Sequence, residues 1–264
     1  MSGRRLVRAP SVHTAYVLHR YDWSESSVVL DLFTREVGRL PVVAKGAKRP
    51  YSQLRPVLLP FQRLLVTLGK PPKSDESGDP GATGEVRTLR SAEWAGGAAM
   101  LTGAALFSGF YLNELLMKLL GRQDAHPEIF NAYAATLPTL ALPDDTAGQA
   151  ALRAFELTLL LHLGVLPDLT VITPTQESVA LDRGYALVPE VGLVPARAAD
   201  TPIPGTAWVD LQAALIHGSI PALQLACRGV LPALRTQVRG LLHYHLGSHV
   251  LRTRQVMIGV QTLG

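Results

Sequence analysis

The stretch RLPVVAKGAKRPYSQLR, from Arg39 to Arg55, gathers Lys45, Lys48, Arg49 and Arg55 around Tyr51. Cations with an aromatic among them suit non-covalent chemistry: a groove that neutralises phosphates and stacks a base. An ordinary charged hairpin would have the same composition, so the pattern alone leaves both readings open. Arg63, Arg87 and Arg90 fall in segments that read as strands and extend the same basic set. A second set, Arg228, Arg235, Arg239, Arg252 and Arg254, has no acidic residue between Arg228 and Arg254. It reads equally well as an auxiliary DNA contact or as a solvated helix face.

Residues that make or break bonds are much sparser. No G-x-x-x-x-G-K-[ST] loop occurs to cradle a nucleotide, and no G-x-S-x-G elbow carries a serine nucleophile. Cys227 is the only cysteine and lies in an apolar helical pattern, which favours a small buried hydrophobe over a nucleophile. His243, His245 and His249 are the nearest approach to a metal set, the latter two four residues apart. No acid accompanies them, so no metal is expected. With no carboxylate cluster suited to Mg²⁺ either, the chain is expected not to be an enzyme and to need no cofactor.

The cations must be carried by ordered elements, and the composition allows them. The chain has 264 residues, 47% apolar and 17% charged, enough for a sizeable core and long enough to favour two domains. Charge is unevenly spread: residues 1–93 hold fifteen Lys and Arg against nine Asp and Glu, while the rest hold ten against twelve. The basic face therefore belongs to the first part, the footprint of a phosphate-bearing partner or of a solvated basic surface. A lone cysteine excludes an internal disulfide and fits a reducing compartment, and the N-terminus lacks a secretory pattern. The expected location is cytoplasmic, associated with the nucleoid. Ala95–Asn113 runs nineteen residues without a charge, but its Gly, Ala, Ser and Thr content predicts a buried central helix rather than a membrane span.

Five β-favouring runs, Tyr16–Arg20, Ser26–Thr34, Gly38–Gly46, Leu58–Gly69 and Glu85–Glu93, alternate with turn residues and predict a small closed barrel over residues 1–93. The Pro-, Gly- and Ser-rich stretch of residues 70–84 predicts a mobile loop. Residues 94–264 turn helical, with helices expected over Ala95–Gly121, Pro127–Ala141, Thr146–Gly164, Asp210–His217, Ile220–Leu225 and Pro232–Leu246. Residues 166–210 interrupt them with an irregular segment containing a short hairpin.

The ordered series YVLHRYDWSESSVVLDLFTREVGRLPVVAKGAKRP, LLPFQRLLVTLG, GEVRTLRSAE, SGFYLNELLMKLL and ALRAFELTLLLHLG resembles the bacterial RecO recombination mediators over Ala15–Gly164. Beyond Gly164 only LLHYHLGSHVLRTRQVM continues the likeness. The resemblance implies an α+β multidomain protein: an N-terminal OB-fold followed by an α-helical domain with a small insertion. It implies binding of single- and double-stranded DNA, annealing of complementary strands, association with RecR, and help to RecA in displacing the single-strand binding protein, SSB.

It further implies that the helical domain binds the acidic, apolar C-terminal tail of SSB. Arg153 matches the family's basic position there, with Tyr111, Leu112, Leu115, Phe155 and Leu159 as slot residues, although core packing explains each of them equally well. Many relatives carry four zinc-binding cysteines in the insertion. This sequence has none there, so its insertion is expected to hold itself by hydrophobic packing. The alternative function is a helical docking module that recruits SSB and RecR, with DNA contact incidental.

Overall fold

A computed structural model describes residues 11–70, 86–97, 100–247 and 251–253. The 71–84 part of the expected mobile loop, His249 and Arg254 lie outside them. The chain divides into two compact units, Met1–Ala98 with Leu120–Pro127, and Ala99–Leu119 with Glu128–Gly264.

In the first unit β1 (Val12–Asp22), β2 (Val28–Thr34), β3 (Gly38–Ala44), β4 (Leu64–Leu68) and β5 (Arg87–Trp94) close in the order β1-β2-β3-β5-β4. This is a five-stranded OB-fold barrel. β1 pairs with β2 through Ala15–Asp22 and with β4 through Val12–Ala15, with a register shift between Val17 and His19. Such a shift bends a strand enough to serve two neighbours. β3 joins β5 in parallel at Val42 and Val43. Alternation puts Leu30, Leu32, Leu40, Val42, Leu64, Val66 and Leu89 inside, all buried. Truncating any one of these leucines to alanine costs about 2–5 kcal/mol.

Two strand boundaries differ from the sequence pattern. β1 is longer than Tyr16–Arg20, and β4 is much shorter than Leu58–Gly69. Pro56, Pro60 and a left-handed Phe61 (φ 65°) keep residues 54–61 out of strand geometry, and Leu58 donates its N–H to Leu54 O at 2.9 Å instead of to a ladder. The segment Leu120–Pro127 extends the barrel beside β3: Gln123 N–H donates to Arg39 O at 2.8 Å, and Arg39 bridges Arg122. Gly38 has φ 78°, and a Cβ there would run into the Asp124 carbonyl oxygen. Only glycine permits that close approach.

The second unit contains, among the described residues, α1 (Gly103–Leu119), α2 (Pro127–Leu140), α3 (Asp145–His162), α4 (Gly205–His217), α5 (Ile220–Arg228) and α6 (Leu231–Leu246). The helix expected from Ala95 starts only at Gly103, because Gly96 and Gly97 stand at φ 76° and 80° and stop helical geometry. No described helix is long and apolar enough to cross a membrane. α3, buried along most of its length, is the central element; Asp144 caps it by accepting from the Ala147 N–H at 2.9 Å.

The 166–210 segment forms a small sheet from β6 (Gly184–Val188), β7 (Gly192–Pro195) and β8 (Ile203–Pro204), in the order β7-β6-β8. Tyr185, Leu187, Leu193 and Ile203 are buried, so apolar packing contributes. Two buried glutamines add direction. Gln237 accepts from Leu187 N–H at 2.7 Å and donates to Thr201 O at 2.8 Å, while Gln212 accepts from Leu169 N–H at 3.0 Å.

Arg252 and Thr253 are tied to α1 by one carboxylate. Glu114 on α1 accepts from the Arg252 and Thr253 backbone N–H groups at 2.8 and 2.9 Å and from the Thr253 hydroxyl at 2.6 Å, and pairs with Lys118 at 3.1 Å. Burial opposes its ionisation, but the bonds from Thr253, Arg252 and Lys118 outweigh burial and hold the carboxyl below its ordinary value. A depressed folded value contributes stability above the unfolded value that is lost as pH falls through the folded one. Amide hydrogen exchange should therefore show Arg252 and Thr253 protected at neutral pH and released on acidification, and Glu114→Ala should release them at neutral pH. Unchanged protection in that variant would show that the carboxylate does not hold the segment.

Candidate nucleic-acid interface

The register of the barrel decides which cations share a surface. β2 begins where β3 ends, since Val28 pairs with Ala44, and β5 begins beside Val42. The β1–β2 loop and the turn segment after β3 therefore sit at one end of the barrel, and the start of β5 lies beside the last residues of β3. Lys45, Arg49, Tyr51 and Arg55 lie in or directly before that turn segment and are all exposed, Tyr51 at 96%. Tyr51 and Arg55 line an open hollow of about 520 Å³ with Pro50, Ser52, Gln53 and Pro56. Arg87, half-buried, opens β5 opposite Val42. Lys70, just after β4, is exposed; Gly69 N–H donates to Thr88 O at 2.7 Å, and Thr67 pairs with Val12, so Lys70 lies toward the start of β1 and away from the β1–β2 loop.

Three sequence candidates are placed differently. Lys48 is a structural cation: its Nζ contacts Asp22 Oδ1 at 2.9 Å and donates to Ser24 O at 2.9 Å, stapling the β1–β2 loop to the segment after β3. Arg39 lies at the opposite end, where it pairs with Phe33; its side chain is 12% exposed and stands 3.9 Å from buried Asp31. Arg63 is exposed, but its carbonyl accepts from Ala95 beyond the far end of β5, so a strand length separates it from Arg87. Arg90 is exposed midway along β5.

The sequence signal singled out cations and passed over the aromatics of the hairpin. His19, Tyr21 and Trp23 occupy alternate positions from β1 into its loop, and all three are exposed. Their period of two was visible in the sequence. Which face they take is fixed by the shift between Val17 and His19, which composition does not reveal.

In the helical unit, the Arg153 guanidinium meets Glu156 Oε1 at 2.6 Å, with side-chain exposures of 6% and 0%. The Tyr111 hydroxyl donates to the same oxygen at 2.6 Å. Leu112, Leu115, Phe155 and Leu159 are fully buried, so they are core residues and do not wall an open slot. The reason is geometric: α3 is enclosed on nearly all sides, and positions spaced for a slot are equally spaced for packing. Arg153 Nε and Glu156 Oε2 are buried without hydrogen-bond partners, so the pair is incompletely satisfied. Burial, opposed by Arg153, pushes the Glu156 carboxyl above its ordinary value; burial and the neighbouring Glu156 push the Tyr111 phenol well above 10. Cys227 is buried nearby and its thiol is pushed up to about 12 by burial, so no reactive thiolate forms.

The auxiliary arginines that the structure describes differ in their settings. Arg235 is exposed and Arg239 half-buried on α6, Arg228 pairs with Asp144 at 3.6 Å, and exposed Arg252 is anchored through its backbone by Glu114. His243 and His245 lie in the last turn of α6. Among the described residues no group of three His, Cys, Asp or Glu side chains is placed to hold a metal ion.

An OB-fold barrel with exposed cations gathered at one end, followed by a helical unit with an inserted small sheet, defines the architectural class. Residues 11–76 match the model of the recombination protein O N-terminal domain, and residues 100–254 that of the recombination protein O C-terminal domain. A protein of Polaromonas sp. strain JS666 named DNA repair protein RecO is 50% identical over 94% of this chain and 96% of its own length. Those of Polaromonas naphthalenivorans and Acidovorax ebreus, which carry the same name, are 49% and 46% identical over the whole of both chains. The chain belongs to the RecO family.

The buried pair generates a stability prediction. Arg153→Ala strands a buried carboxylate and should lower the free energy of unfolding by roughly 3–5 kcal/mol, whereas Arg153→Met with Glu156→Leu should cost much less than the single change. Urea denaturation of the two variants decides it. A cost under about 1 kcal/mol for Arg153→Ala would mean that the guanidinium reaches solvent in solution.

Proposed function

We propose that this protein acts in DNA repair and recombination as a DNA-binding mediator that works without a nucleotide. The observation that carries the reading is the set of exposed cations Lys45, Arg49 and Arg55 at one end of an OB-fold, accompanied by exposed Tyr51. OB-folds take oligonucleotides at the strand 2–3 face and the loops beside it, and surface cations release counterions when they meet phosphates. The family likeness supports annealing of complementary single strands and the handing of SSB-coated DNA to RecA with the help of RecR.

The helical unit is the part proposed to dock protein partners, including the acidic tail of SSB. At Arg153 such docking requires the pair with Glu156 to open, since the guanidinium already holds a carboxylate. Arg235 on α6 offers a cation that needs no such opening.

Charge reversal of Lys45, Arg49 and Arg55 tests the reading, with Lys48 left intact because it holds the β1–β2 loop. The triple variant should bind single-stranded oligonucleotides far more weakly in gel retardation. Its plot of log K against log salt should flatten by about 0.7 for each phosphate no longer neutralised. Annealing without ATP should fall in parallel, while binding of an SSB-tail peptide persists. Wild-type protein that fails to retard oligonucleotides at low ionic strength, or a triple variant that anneals normally, overturns the reading in favour of a docking module with incidental DNA contact.

A further inference from the structure

We infer that the β1–β2 hairpin is a base-stacking platform: His19, Tyr21 and Trp23 take the faces of unpaired bases whose phosphates run over the Lys45–Arg55 turn. The inference rests on the DNA-binding reading above and names the part of the ligand the hairpin recognises, an unstacked single strand.

The register supplies the first argument. His19 pairs with Asp31 and Tyr21 with Val29, while the alternate residues Leu30 and Leu32 of β2 point into the core. Both rings therefore lie on the outer face of the sheet, where they meet edge to face with centroids 4.4 Å apart and an interplanar angle of 64°. Tyr21 is 43% exposed, and Trp23, two residues on, is 70% exposed. A large aromatic surface left in water by a folded chain marks a surface that meets a partner.

Charge supplies the second. Between His19 and Ser27 the hairpin has one cation, Arg20, against Asp22 and Glu25, and Lys48 is occupied by Asp22. Such a hairpin does not attract phosphates, yet exposed cations begin immediately across from it at Lys45 and Arg49. Aromatic faces on one side and exposed cations on the other fit the two faces of a single strand, since every base has a π-surface and every link a phosphate.

The third argument is that the two sides are already held together. Lys48 N–H donates to Ser26 O at 3.0 Å and Gly46 N–H to Ser27 Oγ at 3.4 Å, alongside the Lys48 Nζ contacts with Asp22 and Ser24. Within the loop, Trp23 and Ser24 N–H groups turn onto Ser27 O, and Ser27 N–H donates to Ser24 Oγ at 3.1 Å. Ordering a loop on binding costs free energy, and this loop is ordered beforehand.

The test titrates the full chain with an oligothymidylate and with a blunt duplex of equal length, by retardation and by tryptophan fluorescence, at several salt concentrations. Trp23→Ala and Tyr21→Ala should each weaken single-strand binding roughly 5- to 100-fold, the range for removing one base–aromatic stack. The salt slope should be unchanged, because every phosphate stays neutralised, and duplex binding should be unaffected. Trp23→Phe should restore affinity while abolishing the Trp23 share of the fluorescence quench. Wild-type single-strand affinity in Trp23→Ala, or an equal weakening on duplex with a flattened salt slope, overturns the platform while leaving the phosphate surface standing. Absence of DNA binding by the wild type at low salt would instead remove the reading on which it rests.

Discussion

Barrel closure is the constraint from which the rest of the N-terminal unit follows. Five strands close only if β1 pairs on both its edges, and the shift between Val17 and His19 lets one continuous strand do so. Closure then dictates the ends: β2 must start where β3 stops, and β5 must start beside β3. Lys45, Arg49, Arg55 and Arg87 are scattered over more than forty residues of sequence, and this register makes them neighbours. The same shift turns His19 and Tyr21 outward. A one-residue slip of β1 against β2 would set them opposite Leu30 and Leu32, on the core face.

The helical unit obeys a different constraint. α3 is buried on almost every side, so any charge it carries must be matched internally, and Arg153 is matched by Glu156 and Tyr111. Taking both charges from water is expensive, and the remaining unpartnered atoms show that the compensation is incomplete. A better-packed apolar pair would serve stability equally well, so stability alone does not account for an ion pair there. Two glutamines play the corresponding part for the small sheet, where Gln212 and Gln237 satisfy backbone groups of a segment too short to satisfy its own. Hydrophobic patterning announced the packing of that segment, but nothing in the helical pattern of α4 and α6 marked these two polar residues as its anchors.

What the sequence made legible was whatever depends on short-range pattern. Alternating apolar residues and Gly turns announced five strands, and three- and four-residue spacing announced the helices, because both signals arise within a few residues. The ends were less legible: Gly96 and Gly97 unmade the first turns of the predicted α1, and Phe61 with the prolines before it shortened β4. Function of individual cations was least legible of all. Lys45 and Lys48 are three residues apart with the same charge, yet Lys45 is exposed and Lys48 staples a loop, held by Asp22 and Ser24. The sequence pattern around Arg153 did not reveal its burial, which long-range packing around α3 decides.

The proposed division between phosphate and base contacts bears on how such a surface allows strands to pair. A protein that gripped bases throughout would compete with annealing, since each base held is a base withheld from its complement. The phosphate contacts proposed at Lys45, Arg49 and Arg55 would leave the Watson–Crick edges free, and their strength would fall with salt. A few stacked bases at the hairpin cost about 1–3 kcal/mol each to release, close to the mean of about 1.4 kcal/mol gained per stacked step of DNA duplex. Pairing that begins beside the barrel can therefore displace the platform one base at a time. Stacking of that strength orders a single strand without trapping it, and a duplex, whose bases are already stacked on one another, has nothing to offer the hairpin.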